Sequence, residues 1–237
     1  MVRIEIALRC GYHSFVDTNV LNTGSVALSV LDVVKDLGVF IDNHLTFTKQ
    51  LDSVIGKAKQ RIYLILKSFQ SRDIRLLVSA YKTYILPILD YCSSIWSPHK
   101  VTDIDRLENV QRYFAKRLKR LWDVNYVDRL LICSLKSLEL RRLLADIVLV
   151  FKIVHKLIAL KFDDFFELDT NNVTRGHNFK LRVPLCRINC RFNFFSVRVV
   201  QPWNSLPAPL VNATSVNIFK SGLDKINLTK YLKRQFY

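Results

Sequence analysis

Few residues in this chain are placed to do chemistry. Asp163-Asp164 is the one adjacent pair of aspartates, and two carboxylates can share the divalent metals of phosphoryl transfer. This pair, however, stands in the acidic, Phe-rich stretch FDDFFELD, which reads as a solvated turn. Cys186 and Cys190 with His177 suggest a zinc knuckle, but three residues between the cysteines is not the common C-x2-C spacing and no fourth ligand is placed. His13, His44, His99 and His155 have no Ser or Cys partner at a recognisable spacing, so surface or satisfied core imidazoles are expected. The six glycines are isolated, which leaves no phosphate-cradling loop. We therefore expect no catalytic residue, no metal, no cofactor and no small-molecule substrate. What the chain does carry is cations: 36 Lys and Arg against 20 Asp and Glu, a net charge of +16. An excess of that size calls for a polyanionic partner.

Two groups of cations stand opposite apolar stripes at helical spacing: Lys57, Lys59 and Arg61, then Arg112, Lys116, Lys119 and Arg120. Such ridges can meet successive phosphates without reading sequence. The competing reading is a merely solvated face, or a weak nuclear-import signal in Lys116-Arg117-Leu118-Lys119-Arg120. Trp203 and the Phe192, Phe194, Phe195 group could stack on bases, but aromatics set among prolines read better as the core of a small module.

The elements that position these residues follow from pattern. With 237 residues, half of them hydrophobic, the chain can bury a core as one large or two small domains, and general disorder is excluded. Five scattered cysteines fit a reducing compartment, either nucleus or cytoplasm. Glu5 and Arg9 interrupt any signal-peptide apolar region. Leu143 to Leu160 is the most apolar stretch, yet Asp146, Lys152, His155 and Lys156 break it, so it reads as a core helix and not a membrane span.

Net charge divides the chain into three zones: −2 over 1–45, +11 over 46–160 and +7 over 161–237. The first zone reads as strands (VRIEIAL, VALSVLDVV, LGVFI), with a turn at Asn22-Thr23-Gly24. The second is helical. One helix starts at Thr48 with Leu51, Val54, Ile55, Ala58, Ile62 and Ile65 inward, and a second runs through Leu77 to Ile88 with Pro87 kinking or ending it. A third is capped by Thr102 with Asp105 three residues on and carries the ridge from Arg112 to Arg120, and a fourth spans roughly Ser137 to Leu160. Beyond residue 161 no helical period appears until a short helix near Ile218 to Leu232.

Several stretches occur in a telling order: Lys35-Asp36-Leu37-Gly38-Val39, Ile41-Asp42, Leu45-Thr46-Phe47, Tyr81-Lys82, Leu86-Pro87-Ile88-Leu89-Asp90-Tyr91 and Trp96-Ser97-Pro98. Arg106 to Lys116 (RLENVQRYFAK), Arg175-Gly176-His177, Phe194-Phe195-Ser196 and Trp203-Asn204-Ser205-Leu206-Pro207 follow. This set resembles the region downstream of the polymerase core in non-LTR retrotransposon reverse transcriptases of the jockey and chicken-repeat LINE type. The resemblance covers about residues 30 to 232.

It implies that 1–45 is a remnant of palm strands, 46–160 a helical thumb-like domain with a long core helix, and 161–237 an irregular C-terminal module. The fold class expected is therefore mainly α with a small N-terminal β remnant, an α+β chain. The family's polymerase site needs an aromatic-Ala-Asp-Asp turn, and no Asp-Asp here follows an alanine. The expectation is a truncated reverse transcriptase-like protein that binds RNA, DNA or hybrid duplex but does not polymerise. The alternative is a degenerate or host-retained α-helical interaction protein with no nucleic-acid role.

Overall fold

The computed structural model describes residues 31–169, 176–187 and 189–234. The VRIEIAL strand, the Asn22-Thr23-Gly24 turn, Arg175 and the Cys190 side chain lie outside them. Helices dominate the described residues, and the strands form one two-stranded antiparallel sheet near the N-terminus, so the chain is α+β.

β1 (Val33–Asp36) pairs with β2 (Val39–Asp42) from Val33↔Asp42 to Asp36↔Val39. The two residues between them, Leu37 (φ 44°) and Gly38 (φ 86°), both take the positive φ that suits a two-residue hairpin. Tyr91 donates from its hydroxyl to the Leu37 carbonyl at 2.8 Å and ties the hairpin to the helices. β2 alternates: Val39 and Ile41 are buried, and they pack in the same cluster as the inner face of α1 (Thr48–Ser68). No side chain caps α1. Instead the Asp42 carboxylate gathers the amides of Thr46 at 2.9 Å and Phe47 at 2.7 Å and holds the entry loop.

α1 buries Leu51, Val54, Ile55, Ala58, Ile62 and Ile65 along the stripe expected of it. α2 (Ile74–Tyr84) starts at Asp73, whose carboxylate accepts from the amides of Arg75 and Leu76. Pro87 opens α3 (Leu86–Asp90) from its first turn, where a missing N–H is harmless. After α4 (Ser93–Trp96) comes α5 (Val101–Lys116), and here the details differ from expectation. Lys100, not Thr102, is the N-cap; Thr102 lies inside the first turn, and Asp105 pairs with Arg234. The helix also stops at Lys116, because Leu118 and Leu121 turn inward to be buried and Arg120 adopts φ 65°. α6 (Tyr126–Ile132), capped by Asn125, has no counterpart in the sequence reading.

α7 (Leu138–Val154) is capped by Ser137, whose Oγ accepts from the Leu140 amide. It ends six residues short of Leu160 because Lys156 turns left-handed (φ 55°) and the Leu157 amide reaches back to the Lys152 carbonyl at 2.8 Å. That is a Schellman stop made without glycine. The C-terminal part is irregular from Phe165 to Arg187 among the described residues, apart from an isolated Leu168↔Leu181 bridge, and then turns into short helices. These are α8 (Asn189–Phe192), α9 (Phe195–Arg198), α10 (Val200–Asn204) and α11 (Ala208–Val211), then α12 (Val216–Leu223) and a 3-10 turn at Thr229–Tyr231. α8 to α11 have four or five residues each, too few for a 3.6-residue period to show.

Apolar packing falls into two clusters. The first gathers residues from Val39 to Leu138, including Tyr81 stacked on Phe114 at 4.4 Å; the second gathers Ile147, Val150 and Phe151 of α7 with Trp203, Phe195 and Phe219. The two meet along a seam of ion pairs, Asp90 with Arg141, Lys136 with Asp224 and Asp105 with Arg234, while Asp146 pairs with Arg198 at 2.9 Å on the second cluster's side. Glu139, in the first turn of α7, accepts from the backbone amides of Lys233 at 2.8 Å and Arg234 at 3.1 Å and pins that segment across the seam.

Candidate nucleic-acid interface

All three cations proposed on α1 are exposed, but they do not form one ridge. At about 100° per residue, Lys57 and Arg61 emerge roughly 40° apart on one flank, and Lys59 emerges roughly 160° from Arg61 on the other. A single strand of phosphates can meet Lys57 and Arg61 together. Lys59 has to serve a different contact.

The second group also separates. Arg112 is half-buried, its guanidinium over the Tyr126 ring at 4.9 Å and its Nη1 donating to Asn109 at 3.3 Å, so it braces α5 against α6. Lys116 ends α5, and Lys119 and Arg120 lie in the turn after it, all three exposed. None of the three has a carboxylate partner among the described residues.

Two features of this corner escape a search for charge spacing. Arg117 lies over Tyr113, its guanidinium carbon 3.4 Å from the ring centroid, and donates to that residue's own carbonyl. Trp122, 66% exposed, stands just past Arg120. Cations beside an open indole are the parts of a surface that holds a phosphate chain and stacks a base. The sequence signal was available, a tryptophan two residues after a run of four cations, but nothing in that spacing says whether the indole points inward.

The aromatic and histidine residues of the C-terminal part have structural work instead. Trp203 is fully buried and donates from Nε1 to the Phe179 carbonyl at 2.8 Å. Asn204 brackets Leu181, accepting its amide at 2.8 Å and donating to its carbonyl at 2.7 Å. His177 is buried beneath Trp203 and donates to that residue's carbonyl at 3.2 Å. Together these fasten the 176–182 segment to α10, so Trp203 and Phe195 are core. Cys186 carries no disulfide, and among the described residues no group of His, Cys, Asp or Glu is arranged to hold a metal ion. Asp163 and Asp164 sit in a 3-10 turn.

Deeper in the first cluster, Glu108 is fully buried and accepts from the Tyr126 hydroxyl and from the Leu138 amide at 2.9 Å. Burial pushes its carboxyl up from the usual range, and the two hydrogen bonds oppose that rise. Gln111 beside it joins the Tyr81 hydroxyl to the Lys136 carbonyl, completing a polar brace between α2, α5 and α7. Every accepting oxygen of that brace is used within the fold, which leaves it structural.

Among the described residues no helix is long and apolar enough to cross a membrane. An uncharacterized protein of Caenorhabditis elegans is 28% identical over 114 residues, which cover 47% of this chain and 58% of the worm protein. The chain thus spans somewhat over half of that relative's length. No protein-family profile matches the chain, and no solved structure does.

Proposed function

We propose that this chain is the thumb and C-terminal region of a non-LTR reverse transcriptase-like protein, gripping RNA, DNA or hybrid duplex without polymerising. The observation that carries the proposal is the corner at the end of α5, where Lys116, Lys119 and Arg120 stand exposed without carboxylate partners beside an open Trp122. The net charge of +16 and the ordered motifs point the same way. Binding is through phosphates and so largely blind to sequence. This reading assigns no polymerisation to these 237 residues, since the aromatic-Ala-Asp-Asp turn that the family's site needs does not occur in their sequence.

Salt dependence tests the proposal. If Lys57, Arg61, Lys116, Lys119 and Arg120 each meet a phosphate, log K against log salt has a slope of about −4.5 on a B-form duplex. Anisotropy of a short labelled duplex reads it. The triple change Lys116→Gln, Lys119→Gln and Arg120→Gln leaves the fold intact and flattens the slope by about 2.7. An unchanged slope in that variant removes the corner from the interface. Failure of the wild-type chain to bind any duplex at low salt favours the interaction-protein reading.

A further inference from the structure

A cleft opens where three segments meet: the loop leaving β2, the turn between α4 and α5, and the start of the C-terminal helices around Asn193. It encloses about 60 Å³, room for about four or five waters. Trp96, Pro98 and Phe194 give it apolar walls, and the charged and titratable groups that line it are His44, His99, Lys100, Arg191 and Arg198 against a single carboxylate, Asp103.

That carboxylate is partly offset by Arg106, 3.1 Å away, whose guanidinium it shares with Asp52. Arg198 is likewise committed, to Asp146 and to the carbonyls of Ser94 and Asn193. Lys100 and Arg191 have no partner among the described residues and are exposed at the rim. Behind the cleft the Lys233 ammonium donates to the His99 carbonyl at 2.7 Å. Burial first, then Lys233 and Lys100, push the His99 imidazole below its ordinary range, with Asp103 opposing the fall. Burial also pushes Lys233 down, with Glu139 opposing the fall and Arg198 adding to it. Lys100 is moreover the N-cap of α5 and offers no capping oxygen, so the first amides of that helix face the same rim without a side-chain acceptor.

We propose that this cleft is an oxyanion site for a phosphate group, gripped by Lys100 and Arg191 with His99 as a third donor. The site does not rest on the corner at Lys116, because α5, with its 16 residues, sets its two ends about 24 Å apart. Two sources share the required chemistry: a backbone phosphate of a nucleic acid strand, or a free phosphate compound. A strand touching both ends of α5 would place roughly seven nucleotides between them at about 3.4 Å each.

The test follows the His99 ring resonance of the full chain during titration with inorganic phosphate at constant ionic strength, with chloride as the control. The expected result is a saturable shift and a rise in the pH at which His99 titrates. Affinity falls at least tenfold in the Lys100→Gln, Arg191→Gln double variant and is unchanged in the Lys116→Gln, Lys119→Gln, Arg120→Gln variant. The buried His177 resonance reports that each variant remains folded. A phosphate response no larger than that of chloride, or one that survives in the folded double variant, overturns the proposal. Adding a short duplex separates the sources. Displacement of phosphate at His99 identifies the strand backbone as the occupant, and duplex binding that leaves the phosphate response intact identifies a free phosphate compound.

Discussion

His177 is 4% exposed and edge-on to Trp203, with ring centroids 5.8 Å apart. Its Nε2 proton goes to the Trp203 carbonyl, which leaves Nδ1 buried as an acceptor without a partner. Burial, reinforced by Lys180 and opposed by the hydrogen bond to the Trp203 carbonyl, holds the ring below its ordinary range, and His99 is depressed in the same direction. An unfolded histidine takes up a proton near pH 6.5. Below that pH the unfolded chain binds protons that the folded chain refuses, so stability is full above about 6.5 and declines as pH falls. Urea midpoints should therefore drop between about pH 7.5 and pH 5.5. His177→Gln keeps an N–H for the carbonyl and should remove part of that drop, whereas an undiminished drop would show that His177 does not titrate across the transition. Asn204 carries a simpler expectation. Its alanine variant strands both backbone groups of Leu181 in a largely buried place, a loss of about 2 kcal/mol, readable from the same urea curves.

Elements with a long, regular stripe were legible, and α1 is the clearest case: its start, its inward residues and its end all follow from one period. α5 was legible in its middle only. Its true start at Lys100 offers no capping side chain to recognise, and its end is set by the inward pull of Leu118 and Leu121, a tertiary matter that extended the apparent ridge past Lys116. α7 ended early for a comparable reason, a left-handed lysine standing where glycine would have flagged the stop. The exposed corner with Trp122 was only half legible, since charge runs are visible in a sequence and the direction of an indole is not. Two substitutions test the local backbone. Gly56 sits mid-α1 on the exposed side with open space around the position a Cβ would take, so Gly56→Ala should stabilise by about 1 kcal/mol. Leu37 carries φ 44° at the hairpin tip and is half exposed, so Leu37→Asn should add about 0.5 kcal/mol. A lower midpoint for either variant would contradict the backbone geometry at that site.

Across the whole molecule, the described residues form two apolar clusters joined by α4, α7 and a row of charges, and the joint is where it should fail first. Arg198 bridges Asp146 of α7, the Ser94 carbonyl of α4 and the Asn193 carbonyl. Asp146→Ala leaves that largely buried guanidinium without its carboxylate, a cost of about 3–5 kcal/mol. The expected outcome is loss of hydrogen-exchange protection in α12 well before α1, so that one unfolding transition becomes two; simultaneous loss in both helices would mean that the clusters do not depend on Arg198 for their union. The order in which the parts are made adds a further consequence. Glu139 receives the amide of Lys233 from 94 positions down the chain, and at roughly 5–20 residues per second that partner emerges about 5–20 seconds later. For that interval the nascent chain carries a finished first cluster, the bare apolar side of α7 and an unanswered Glu139 and Asp105. The tail that later fastens the two halves is thus also the clock that decides how long a ribosome-bound intermediate must be shielded from its neighbours.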